Sequence, residues 1–210
     1  MAVICPTVTA LTVDDYGRQI DRIAGFAERI HVDLMDGVFA PTRSVNPIQS
    51  WWPKDIQTDI HLMFKKPLEH IETLVSLKPS MVIIHTEAEG DLIGFLDHLK
   101  KFGIKVGVAL LAPTMPDDVT SLIEHADHVL IFSGDLGHFG GKVDPVLLEK
   151  AARIREINPS VELGWDGGAN EETVEMLASG GIDVINVGGA IQRSENPEEA
   201  YATLVAKLPK

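Results

Sequence analysis

Two imidazoles and two carboxylates stand near the ends of short β-branched runs in this chain: His31, Asp33, His61 and Asp166. In His31-Val32-Asp33-Leu34-Met35, strand alternation turns His31, Asp33 and Met35 to one face and aliphatic Val32 and Leu34 to the other. The same parity sends His61 and Met63 inward together, and sets Asp166 opposite Trp165. A buried carboxylate without a partner is expensive, so Asp33 needs a cation or several donors. As a set, His31, Asp33, His61 and Asp166 suit one divalent ion per chain, Zn, Fe, Mn or Co rather than Mg or Ca. The competing reading makes each histidine a hydrogen-bonded core residue and each aspartate a loop cap. It accommodates any one of them more easily than all four. His85 ends another run and fits either a supporting place beside these ligands or an ordinary one, while His70, His98, His125 and His128 read as surface residues.

Glycine pairs form a second pattern, at Gly140-Gly141, Gly167-Gly168 and Gly188-Gly189. Loops without side chains let backbone N–H groups approach an anion such as phosphate. Lys142 follows the first pair and is expected to assist as an auxiliary contact. Such local donors matter because 31 acids oppose 18 bases, a net charge of −13, which excludes a nucleic-acid binder.

The elements that would position these groups alternate along the chain. Strand-like runs cover residues 3–6, 30–34, 59–63, 81–85, 105–110, 128–132, 161–165 and 183–187, with helical periodicity at 67–77, 91–101, 145–157 and 171–179. Alternation of this kind implies parallel pairing through right-handed crossovers. Eight units in 210 residues predict an α/β fold, a single-domain (β/α)8 TIM barrel spanning residues 1–210. A doubly wound open sheet competes, but normally places a glycine-rich loop after its first strand, where this chain has Cys5-Pro6-Thr7. In a barrel, chemistry comes from the C-terminal strand ends, where the four ligand-type residues fall.

One cysteine rules out an internal disulfide framework and points to a reducing cytoplasm. The start, MAVICPTVTALTVDDYGRQ, reads as neither signal peptide nor anchor, and no apolar run is long enough to span a membrane. A homo-oligomer is expected. Trp51-Trp52-Pro53 fits a subunit contact or a helix-end packing feature.

Taken in order, Cys5-Pro6-Thr7, HVDLMDGVFAP (31–41), DIHLMFKKP (59–67), GHFGGK (137–142), WDGGAN (165–170) and NVGGAI (186–191) resemble the ribulose-phosphate 3-epimerase family over nearly the whole chain. The resemblance implies a barrel of the ribulose-phosphate-binding type that interconverts D-ribulose 5-phosphate and D-xylulose 5-phosphate at a divalent metal. It assigns His31, Asp33, His61 and Asp166 to the metal and makes Asp33 and Asp166 the acid/base pair. It also places Thr7, Met35, His61 and Met63 at the phosphorylated ketose, and Gly140, Gly141, Gly167, Gly168, Gly188 and Gly189 at its phosphate. The methionines equally fit plain core filling. Two bases explain inversion beside a ketone: one removes the proton from one face, and the other returns one to the opposite face through a planar enediolate.

Departures fall on the rim. Thr7 replaces a usual serine, Phe132 a methionine, Lys142 a glutamine and Gly189 a serine, and His138 reads as an insertion; residues 110–116 also depart from the usual pattern. They bear on the sugar more than on the reaction, so 3-epimerisation of another ketose phosphate, such as a 6-phosphohexulose, is the nearest alternative. A non-catalytic phosphosugar-binding homologue is the more distant one. Decarboxylases on this barrel use an Asp-x-Lys-x-x-Asp run, and residues 31–36 contain no lysine.

Overall fold

The computed structural model of this chain describes residues 2–138 and 140–209; Phe139, inside the 137–142 run, lies outside the described residues. Eight parallel strands close into a barrel in chain order: β1 (Val3–Thr9), β2 (Arg29–Met35), β3 (Gln57–Met63), β4 (Met81–His85), β5 (Lys105–Leu110), β6 (His128–Phe132), β7 (Glu162–Asp166) and β8 (Val184–Val187). The helices are α1 (Val13–Ile23), α2 (Ile71–Leu77), α3 (Leu92–Lys101), α4 (Thr120–His125), α5 (Glu149–Ile157), α6 (Val174–Ser179), α7 (Gly189–Gln192) and α8 (Pro197–Ala206). This is the (β/α)8 barrel expected from the alternation. The second crossover departs from the pattern, because a single 3-10 turn at Pro47–Gln49 stands between β2 and β3 in place of an α-helix.

Local chemistry explains the helix starts. Thr12 caps α1 by accepting from the Asp15 N–H, Asp91 caps α3 from Gly94, and Asn196 caps α8 from Glu199. β1 runs past Pro6, where the sequence suggested a stop, and continues to Thr9. One proline removes a single ladder hydrogen bond, and the strand survives between two partners, β2 and β8.

Two cores follow from strand parity. The outward residues Val32, Leu34, Ile60, Val82, Val129, Leu163 and Trp165 pack beneath the helices in one large buried cluster. Inside the barrel the lining is mixed: Met81, Ile83, Ala109 and Leu130 form an apolar patch. At the N-terminal end, Arg29 binds Asp59 (2.7 Å) and both oxygens of Glu162 (2.9 and 2.7 Å), and His128 Nδ1 lies 2.8 Å from Glu162. His128 is therefore a buried member of the barrel floor, which corrects its reading as a surface residue. Cys5 is also buried within the barrel, and burial pushes its thiol pKa well up. Trp51 is half exposed; its carbonyl accepts from the Tyr16 hydroxyl at 2.7 Å, and Trp52 packs on the outer core. Among the described residues, no helix is long and apolar enough to cross a membrane.

Candidate active site

β2 carries His31, Asp33 and Met35 inward, β3 carries His61 and Met63, and β7 ends on Asp166, as alternation predicted. Both imidazoles aim at the two carboxylates. His31 Nε2 lies 3.3 Å from Asp33 Oδ1 and 3.9 Å from Asp166 Oδ2, while His61 Nδ1 lies 3.1 and 3.5 Å from the same atoms. One donor atom from each of the four residues falls within 4.8 Å of all the others.

The residues fit a divalent cation. His31 Nε2 is buried with no hydrogen-bond partner, although it faces two carboxylates. Its other nitrogen stands 3.2 Å from the Asn186 side-chain amide, whose oxygen is also unpartnered. With that amide turned over, Asn186 Oδ1 accepts from His31 Nδ1–H, which leaves the Nε2 lone pair directed into the cluster. Two imidazole nitrogens and two carboxylates are a donor set for a transition ion.

Electrostatics inside the cluster are strongly coupled. Burial disfavours a charged Asp33, yet the His31 and His61 imidazoles facing it hold its carboxyl well below the usual carboxylate range. Burial likewise opposes charge on His61, but Asp166 and Asp33 raise it to about 9. A proton on His61 then offsets the negative charge of Asp33.

Above the cluster opens a cavity of about 1100 Å³, lined by Thr7, Met35, Met63, Gly140, Gly141, Gly167, Gly168, Gly188 and Gly189 among others. Nearly all the residues assigned to the substrate come together here. Two do not: His61 is buried behind Asp33, and Lys142 is exposed on the rim outside the lining. Phe132 forms part of the wall, its ring 5.9 Å from that of His61.

Gly167 and Gly168 hold two loops together. Both have positive φ, +110° and +74°. A β-carbon on Gly167 would collide with the backbone of Ser133 and Gly134, and one on Gly168 with that of Lys142 and Val143. The loop after β7 is therefore packed backbone to backbone against the loop after β6.

Several participants escaped sequence reasoning. Thr9 donates its hydroxyl to Asp33 Oδ2 at 2.7 Å. Its signal was the inward parity it shares with Thr7, hidden by the apparent stop at Pro6. Arg18, Arg22 and Arg193 line the cavity beyond the glycine pairs, and the Arg193 guanidinium carbon lies 3.9 Å from where a Gly189 β-carbon would stand. Arg18 and Arg22 arrive through the docking of α1, and Arg193 through the end of α7, placements that no local pattern encodes. Asp36, the second aspartate of the HVDLMDG run, is structural: it accepts from the N–H groups of Val38, Phe39 and Lys65, at 2.7, 2.7 and 2.8 Å.

Residues 3–192 match the model of the "Ribulose-phosphate 3 epimerase family". A ribulose-phosphate 3-epimerase of Helicobacter pylori is 28% identical over 208 residues, covering 96% of this chain and 95% of that one. One of Mycobacterium leprae is 30% identical over 210 residues, covering 96% and 92%. In structure, a solved 3-hexulose-6-phosphate synthase superposes with a TM-score of 0.71 at 17% identity, covering 99% of this chain and all of the other. At that identity the likeness concerns the fold.

Proposed function

The chain belongs to the ribulose-phosphate 3-epimerase family, and from that premise we propose that it inverts C3 of a ketose phosphate, interconverting D-ribulose 5-phosphate and D-xylulose 5-phosphate. The observation that carries this reading is the convergence of His31, Asp33, His61 and Asp166 at the base of a cavity edged by glycine pairs. Residues 1–210 then act as one catalytic barrel.

Asp33 and Asp166 reach the cavity from β2 and β7, strands three places apart around the barrel. One carboxylate can therefore serve each face of the reacting carbon, taking a proton from one side and returning one to the other. The Thr9 hydroxyl fixes the orientation of Asp33. Met35 and Met63 wall the site with polarizable but non-basic groups that cannot compete for the proton. A divalent ion held by His31, Asp33, His61 and Asp166 supplies Lewis-acid stabilisation for the negative charge that develops on the substrate oxygens, worth several kcal/mol. The phosphate falls to the backbone. Gly189 and Ala190, in the first turn of α7, line the cavity beside Gly140, Gly141, Gly167 and Gly168, and first-turn amides have no intrahelical acceptor.

The test is isotopic. In heavy water the epimerised product carries deuterium at C3 and at no other carbon. Asp166→Asn lowers epimerisation by several orders of magnitude, while slow exchange without inversion survives from one epimer; Asp33→Asn leaves the converse pattern. Near-normal inversion in either variant, with metal content checked on the same sample, overturns the two-base assignment. A second reading, 3-epimerisation of a longer ketose phosphate such as a 6-phosphohexulose, draws support from the cavity's reach past Gly189 to Arg18 and Arg22. Parallel assays on pentulose and hexulose phosphates separate the two.

A further inference from the structure

Behind the four-residue cluster a line of polar atoms runs outward through the barrel wall. His61 turns Nδ1 to the carboxylates and Nε2 to His85 Nε2, 3.0 Å away. His85 is wholly buried at the end of β4, and its Nδ1 lies 3.4 Å from Glu87 Oε2. Neither of those last two atoms has another partner. The far oxygen of Glu87, Oε1, accepts from the Leu111 N–H at 3.1 Å and from the Thr114 hydroxyl. Phe39 and Phe132 flank the His85 ring, with centroids 4.9 and 5.6 Å away, and the His85 side chain has no exposed surface.

Donor and acceptor roles along this line follow one after another. A neutral imidazole carries one donor nitrogen and one acceptor nitrogen. Hydrogen bonds from His85, Thr114 and the Leu111 backbone outweigh the effect of burial and hold the Glu87 carboxyl down at about 2, so it is an acceptor at both oxygens. His85 must therefore carry its proton on Nδ1, which makes its Nε2 an acceptor. His61 must in turn donate from Nε2. That leaves His61 Nδ1 on the side where His31, Asp33 and Asp166 meet.

We propose that Glu87, acting through His85, is a positioning residue that fixes the tautomer of His61 so that Nδ1 is available to a divalent cation. The inference rests on reading the cluster as a metal site and extends it to two residues that touch neither metal nor substrate. Glu87 reaches this place because it lies two residues beyond inward-facing His85, just past the end of β4.

An isosteric change separates this role from a structural one. In Glu87→Gln the Leu111 N–H retains the side-chain oxygen, so the new NH2 group faces His85 Nδ1 and reverses the required order of donors. Zinc affinity of the full chain, measured by competition with a chromophoric chelator, should fall ten- to hundredfold, the usual effect of losing such a partner. His85→Phe should lose a similar factor, and His85→Gln, whose oxygen can still accept from His61 Nε2–H, should recover most of it. Nitrogen-15 spectra of histidine-labelled, zinc-loaded protein should place protons on His61 Nε2 and His85 Nδ1, with the latter signal lost in Glu87→Gln. If His85→Phe does not fold, the partly exposed Glu87→Gln site carries the test alone. Wild-type zinc affinity in Glu87→Gln overturns the inference and leaves the metal site standing. A wild-type protein that takes up no zinc overturns both.

Discussion

Replacing Arg29 with methionine should cost stability without touching the chemistry. The Arg29 side chain is 18% exposed and joins Asp59, 3% exposed, to Glu162, 38% exposed. Loss of the guanidinium affects its two partners unequally. Glu162 keeps His128 at 2.8 Å and partial access to water. Asp59 loses its 2.7 Å partner and is left as a buried carboxylate with nothing to offset its charge. Removing one member of a buried pair typically costs about 3–5 kcal/mol. For a chain of this length each kcal/mol shifts the midpoint by about 2–4 °C, so Tm should fall by roughly 10 °C. Adding Asp59→Leu to Arg29→Met removes the stranded charge and should restore most of the loss. Urea and thermal unfolding of the wild type, the single variant and the double variant measure this directly. Because the floor lies at the opposite end of the barrel from Asp33 and Asp166, kcat/KM at a temperature where all are folded should change less than about twofold. A single variant within about 1 kcal/mol of wild type, or a double variant no more stable than the single, refutes the buried-charge argument.

Other outcomes follow from the same geometry. Arg193→Ala should raise KM for the phosphorylated substrate about tenfold with little change in kcat, whereas exposed Lys142→Ala should raise it by less; equal effects from the two would discount the Arg193 position over Gly189. Chelation should abolish activity, and His61→Ala should weaken zinc binding; since Asp166 and Asp33 raise His61 to about 9, uptake must displace a proton and should tighten as pH rises from 6 to 9, which calorimetry in buffers of different ionisation enthalpy can read. Glu87, held at about 2, and Glu162, held well below its ordinary value by Arg29 and His128 despite burial, have depressed folded-state values. The stability they contribute is present above the unfolded carboxylate pKa of about 4.3 and lost as pH falls toward 2; an unchanged urea midpoint between pH 7 and pH 3 would contradict it.

Much of this protein is legible in its sequence because strand parity is a two-state code. His31, Asp33, His61 and Asp166 could be sent inward from their aliphatic neighbours alone, since a one-residue error would have buried Val32 and Leu34 among charges. The same code puts His128 on the inward face with Leu130, but as the first residue of β6 it has no strand neighbour before it to fix that face. Groups whose roles depend on distant packing were not legible. Arg18 and Arg22 lie on the solvent-rich helix α1 and reach the cavity only because of where α1 docks. The second crossover, interrupted by Pro41, Pro47 and Pro53, carries a 3-10 turn at Pro47–Gln49 in place of an α-helix.

The contact of Gly167 with residues 133–134, and of Gly168 with residues 142–143, has a practical consequence for redesign. Two loops that meet through bare backbone cannot be exchanged one at a time, because a foreign partner would bring a different main-chain path to a surface with no side chains able to adjust. Segments 133–143 and 167–170 therefore behave as one cassette. Transplanting both from a relative with another sugar preference should carry that preference across intact, whereas a chimera with only one should lose loop order before it loses the barrel.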